Sequence, residues 1–110
     1  LRRVTGEADE SEGVRTIEIN GLTVDPQRHE VRIDDRKIEL TAMEFKLLML
    51  LTNRPGRVFT RQQIIGQIHG RDAGVTDRSV DVQVVMLRRK LEERGADIET
   101  VRGVGYRFRD

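Results

Sequence analysis

This chain of 110 residues contains no cysteine and no tryptophan. Without thiols there is no disulfide framework, no thiolate metal site and no cysteine nucleophile. That absence fits a reducing compartment, and a cytoplasmic location is expected. Histidine is scarce as well, with only His29 and His69, 40 positions apart. No convergent carboxylate or phosphate-loop pattern accompanies them, so an enzyme is not expected. The longest apolar run is LLMLL (47–51), whereas crossing a bilayer takes about 20 apolar residues. Membrane insertion is therefore not expected either.

A large net charge is also missing: the total is +1, with 36% of residues hydrophobic and 35% charged. These proportions suit one globular domain with a modest core. The charge is unevenly distributed. Residues 1–40 hold 7 basic and 10 acidic side chains, and residues 41–110 hold 13 basic and 9 acidic. Of the 20 basic residues, 17 are Arg. Arg suits bidentate contacts to phosphate and guanine, although genomic composition produces the same bias.

Residues 1–13, LRRVTGEADESEG, are polar and lack periodicity. They have linker composition, which divides the chain into a linker at 1–13 and a domain at 14–110. The first residue is Leu and not Met, so a longer protein with something attached upstream is expected. Strand-like pieces follow at 14–19, 22–24, 30–33 and 37–40, separated by Asn20-Gly21, Asp25-Pro26 and Asp34-Asp35. Those breaks carry turn residues, and the short connections predict a four-stranded antiparallel sheet.

Thr41 and Glu44 form a T-x-x-E capping box, with Leu40 and Phe45 as its hydrophobic staple. Leu47, Leu48 and Leu51 continue the buried face of this helix, and Pro55-Gly56 ends it. RVFT (57–60) allows a very short strand. Thr60 and Gln63 then make a second box, with Phe59 and Ile64 as staple. This second helix is expected to reach Ile68 and to stop at Gly70.

The segment VDVQVVMLRRKLEERG (80–95) starts with the alternation of a strand. Strand periodicity covers only its first five residues. On a helix advancing about 100° per residue, Val80, Val84, Leu87 and Leu91 fall in a stripe about 60° wide. Arg88, Arg89, Lys90 and Arg94 suit the negative end of the helix dipole. Gly95 is expected to terminate the helix in the left-handed conformation. Thr76 or Asp77 caps its start, and Val75 with Val80 forms a staple around Thr76. A helix is predicted.

Opposite the buried stripe lie Arg78, Val82, Val85 and Arg89, with Met86 beside them. Two readings fit. Another element covers this face, or the face enters a surface part polar and part apolar, such as a DNA major groove. There, thymine methyls meet Val and Met, while Arg meets guanine edges and phosphates. The C-terminal IETVRGVGYRF (98–108) reads as two strands turning at Arg102-Gly103. Helix, turn, helix and a basic hairpin make a winged helix-turn-helix layout in the α+β class, with Arg102 reaching toward a minor groove.

The segments LTAMEFKLLMLL, PGRVFTRQQII, DRSVDVQVVMLRRKLE and IETVRGVGYRF together resemble the effector domain of OmpR/PhoB-type response regulators. The resemblance spans roughly residues 14–109. It implies a four-stranded N-terminal sheet, a three-helix core and a C-terminal hairpin wing, with residues 1–13 tethering a phosphorylatable receiver domain. It further implies sequence-specific binding to double-stranded DNA, with the third helix in the major groove and the wing in the minor groove. By position, Arg78, Ser79, Val82, Gln83, Val85, Met86, Arg88 and Arg89 belong to the reading helix. Thr100, Arg102 and Tyr106 belong to the wing. Arg61 and His69 would touch phosphate, though His69 also reads as an ordinary helix-end histidine. The loop Gly70–Thr76, including Arg71 and Asp72, resembles the RNA polymerase contact of activators in this family. Solvated charges explain Arg71 and Asp72 equally well.

The family binds head to tail as two copies on direct-repeat half-sites, and no cofactor or metal is implied. Three positions depart from its pattern: His69 where Trp is frequent, Gln83 where His is frequent, and Met86 where a basic residue is frequent. Two of these lie on the reading face, which implies a different recognition sequence. An alternative also stands, in which the apolar face makes this a winged-helix protein-interaction or dimerisation module. His29 is expected to be an exposed sheet residue, and Asp81 to form a salt bridge within the domain. Gly103 and Gly105 are expected to serve the turn and strand packing.

Overall fold

A computed structural model describes residues 15–68 and 76–110. Four short strands open the fold: β1 (Ile17–Ile19), β2 (Leu22–Asp25), β3 (Glu30–Ile33) and β4 (Arg36–Ile38). They pair antiparallel in chain order, with Val24 opposite both Ile17 and Val31, and Ile38 also opposite Val31. Leu22, Val24, Val31 and Ile33 point into the core, so the pleat alternates as the sequence predicts. Asn20, His29, Asp34 and Asp35 take positive φ in the turns, a conformation that Asn and Asp adopt more readily than most residues. His29 is thus a turn residue rather than a strand residue. It is exposed, and its ring stacks on Phe45 with centroids 4.0 Å apart.

The three helices are α1 (Ala42–Thr52), α2 (Arg61–Ile68) and α3 (Asp77–Leu91). Both predicted capping boxes are present. Glu44 N–H donates to Thr41 Oγ1 at 3.1 Å, and Thr41 N–H to Glu44 Oε1 at 2.9 Å. Gln63 N–H donates to Thr60 Oγ1 at 3.1 Å, and Thr60 N–H to Gln63 Oε1 at 2.9 Å. Thr76, and not Asp77, caps α3, its hydroxyl accepting from Ser79 N–H. The proposed staple residue Val75 and the proposed stop at Gly70 lie outside the described residues.

The end of α3 departs from expectation. The chain leaves the helix at Glu92, with φ of 55°, and continues as a 3-10 helix over Glu92–Asp97. Gly95 is not left-handed. It is buried in that segment, packed so closely that a Cβ there would lie 2.3 Å from the Arg88 carbonyl oxygen. Glycine is required here by close backbone approach, a constraint set by packing rather than by helix termination.

The wing consists of β6 (Ile98–Val101) and β7 (Gly105–Phe108), and β5 (Phe59–Thr60) adds a third strand in the order β5-β7-β6. The wing is therefore anchored on the segment that starts α2. Gly105 permits this pairing, since a Cβ would sit 2.0 Å from the Phe59 carbonyl oxygen. One core joins the sheet and helices: Phe45, Leu47, Leu48, Leu51, Ile64, Ile68, Val80, Val84, Leu87, Leu91 and Phe108 are all buried. Leu40, expected in that core, is only partly buried at its edge. No helix among the described residues is long and apolar enough to cross a membrane.

Candidate nucleic-acid interface

Burial of Val80, Val84, Leu87 and Leu91 fixes the rotation of α3 about its axis. The opposite face is uncovered, with Val82 54%, Val85 45% and Met86 39% exposed. The possibility that another element covers this face is thereby removed for the described part of the domain. Arg78 and Arg89 are exposed on the same side of the helix, and Ser79 and Gln83 are half-buried at its margin. Arg102 is exposed at the wing tip, where Gly103 turns the chain with φ of 75°. None of the ion pairs among the described residues involves Arg78, Arg89 or Arg102. Their charge is available to an anionic partner.

Other expected site residues have internal partners. Arg88 donates through Nε and Nη2 to the Ile98 carbonyl at 3.0 and 2.7 Å, and through Nη2 to Thr100 Oγ1 at 2.8 Å. This ties the last turn of α3 to the first wing strand. Tyr106 is buried, and its hydroxyl donates to Asp81 Oδ1. Arg61 Nε donates to the same oxygen at 2.7 Å, which supplies the expected salt bridge of Asp81. The Tyr106 ring lies 5.6 Å from the Arg61 guanidinium and 5.7 Å from that of Arg88, within cation–π range. His69, Arg71 and Asp72 lie outside the described residues.

The electrostatics follow from these contacts. The Tyr106 hydroxyl and the Arg61 guanidinium hold the Asp81 carboxyl below its ordinary range, against the opposing effect of burial. Burial and the Asp81 carboxylate push the Tyr106 hydroxyl up, so it stays a donor near neutrality. A neutral Tyr and a compensated Asp at the base of the face leave its outer cations electrostatically dominant. Among the described residues, no group of three or more His, Asp or Glu side chains is placed to hold a metal ion.

Sequence reasoning missed this Arg61–Asp81–Tyr106–Arg88 cluster. Asp81 among basic residues was its one visible signal, because the partners come from three separate elements.

A helix whose apolar and basic face is left open beside a basic hairpin, on a three-helix core, defines a winged helix-turn-helix protein of the nucleic-acid-binding kind. The family described as "Transcriptional regulatory protein, C terminal" matches residues 35–108. The chain belongs to this family, as an effector domain of the OmpR/PhoB type. It is 40% identical over 110 residues to the phosphate regulon transcriptional regulatory protein PhoB of Escherichia coli (strain K12), covering 98% of this chain and 46% of that protein. It is also 41% identical over 95 residues to the response regulator ArlR of Staphylococcus aureus (strain MW2), covering 84% and 43% respectively. The chain thus spans about half the length of the curated relatives it matches.

Among solved structures, the Klebsiella pneumoniae RstA DNA-binding domain in complex with the RstA box superposes with a TM-score of 0.77 at 32% identity, covering 86% of this chain and 97% of that one. The AdeR DNA-binding domain in complex with an intercistronic region gives 0.76 at 34% identity, covering 84% and 98%.

Proposed function

We propose that this chain is the sequence-reading effector domain of a two-component response regulator, binding double-stranded DNA to control transcription. The observation that carries the reading is the uncovered face of α3, with Val82, Val85 and Met86 between Arg78 and Arg89, beside the exposed Arg102 of the wing. In this reading α3 enters the major groove. Its Arg side chains contact phosphates and base edges, and Arg102 enters the adjoining minor groove. Thr100 shares the wing's contact surface, Tyr106 joins the wing to Asp81 of α3, and Arg88 ties the last turn of α3 to the first wing strand. Arg61 and His69 approach the backbone near α2.

The relatives' greater length supports one further part of the proposal, a receiver domain preceding residues 1–13. In the same reading the protein works in the cytoplasm. Two copies bind head to tail on direct-repeat half-sites about one helical turn apart. Arg71 and Asp72 lie in the segment offered to RNA polymerase.

The test is selection from a random duplex-DNA library followed by sequencing of the bound fraction. Enrichment of one short motif, above all as a direct repeat, is expected. Retention without enrichment limits the domain to phosphate contact. No retention at low salt, together with self-association, favours the protein-interaction alternative.

A further inference from the structure

The large hydrophobic side chains exposed among the described residues are four: Val82, Val85 and Met86 on α3, and Val104 beside the wing tip. All lie on the surface assigned above to DNA, and three share one face of one helix. None of those three carries a hydrogen-bond donor or a strong acceptor, so none reads the polar edges of guanine, cytosine or adenine. In the major groove the one apolar group on a base edge is the C5 methyl of thymine. From Val82 to Met86 the helix rises about 6 Å, close to two base-pair steps of about 3.4 Å. Arg78 and Arg89 stand about 16 Å apart along the same axis. The two arginines therefore lie beyond the Val82–Met86 stretch at either end, where they suit backbone phosphates flanking the base pairs it faces. The exposed face of the helix thus carries an arginine at each end and apolar side chains at its centre.

We infer that Val82, Val85 and Met86 read the C5 methyls of two neighbouring thymines, so that the centre of each half-site is specified by methyl groups rather than by hydrogen bonds. This rests on the DNA-binding reading above. Partner proteins and second copies also cover apolar faces. The flanking arginines, which have no ion-pair partner among the described residues, favour a polyanion.

The experiment uses the 110-residue chain and the duplex most enriched by selection. Each thymine is replaced singly by deoxyuridine, which removes the C5 methyl and keeps the base pair. Two adjacent positions are expected to weaken binding by about threefold to fivefold each, the scale for withdrawing one methyl-sized group from burial. In Val82→Ala and Val85→Ala the penalty at one or both positions should vanish. Both sites are exposed, and Ala is the better helix former, so folding is retained.

An enriched site that tolerates deoxyuridine at every thymine overturns the methyl reading and leaves sequence-specific binding intact. Penalties that persist unchanged in both variants overturn it too. Failure to enrich any site removes the DNA reading itself. A dimer in sedimentation that Val85→Asp abolishes, with DNA affinity unchanged, overturns the inference in favour of a protein interface.

Discussion

The Tyr106 hydroxyl and the Arg61 guanidinium converge on one oxygen of Asp81, joining the second wing strand, α2 and α3 at a single carboxylate. Asp81 lies on the reading helix, one residue before Val82, so this junction sets where the wing stands relative to the face that would enter DNA. Tyr106→Phe keeps the ring between Arg61 and Arg88 and removes only the hydroxyl bond. The expected cost is roughly 1 kcal/mol in urea denaturation, near the low end for a bond to a charged acceptor because Asp81 is partly exposed. If the junction positions the wing, DNA affinity should fall by more than stability accounts for, and minor-groove footprints should weaken first. Full affinity with lost stability would assign Tyr106 to folding alone.

Acid should loosen the join between α1 and α3. Glu44 is almost wholly buried and accepts from Lys90 Nζ at 2.7 Å while completing the Thr41 capping box. Burial pushes its carboxyl up, but the Lys90 and Thr41 contacts outweigh burial and hold it below the ordinary value of 4.5. The folded state therefore favours the carboxylate more than the unfolded chain does. The resulting stabilisation is fully present above 4.5 and is lost as pH falls through the lower folded value. Asp81, held below 3.8, acts in the same direction. Lys90→Met should cost about 1–3 kcal/mol at pH 7, since it withdraws the main partner of a buried carboxylate. The deficit should shrink as pH drops below 4, measured by denaturant midpoints across pH.

Much of this architecture is visible in the sequence because its signals are local. Both capping boxes, the Val80–Leu91 stripe, the sheet alternation and the glycines of the wing each span a few residues or one periodic run. What stayed hidden depends on residues distant in the chain. Gly95 has the form of a helix terminator, yet the Arg88 carbonyl, and not its own φ, requires it. Arg88 and Tyr106 look like DNA contacts by position. Their bonds to Ile98 and Asp81 exist only because the wing folds back onto α3. The very short strand that RVFT allows is present as β5, two residues long, but its role emerges only from pairing with β7.

The two wing glycines should respond differently to alanine. Gly103→Ala meets nothing within 4 Å and suffers only from φ of 75°, a penalty of about 1–2 kcal/mol. Gly105→Ala places a methyl 2.0 Å from the Phe59 carbonyl oxygen, which forces β5 and β7 apart. A loss of about 3 kcal/mol or more is expected. Thermal unfolding of both variants checks the order, and the reverse order would contradict the β5–β7 pairing.

Arg102 offers the cleanest separation of DNA binding from folding. It is exposed on the wing turn and has no ion-pair partner among the described residues, so Arg102→Ala should leave the denaturation midpoint nearly unchanged. If its guanidinium enters the minor groove between two phosphate walls, its removal should weaken binding roughly tenfold at low salt. One fewer cation also displaces fewer counterions, so the slope of log affinity against log salt should become shallower by about one. Titrations of wild type and Arg102→Ala between 50 and 200 mM salt, on the selected duplex, give both quantities. A parallel line of unchanged affinity would take the wing out of the interface and leave α3 as the sole reader. A parallel line displaced to weaker binding would give Arg102 a contact that releases no counterion, such as a hydrogen bond to a base edge.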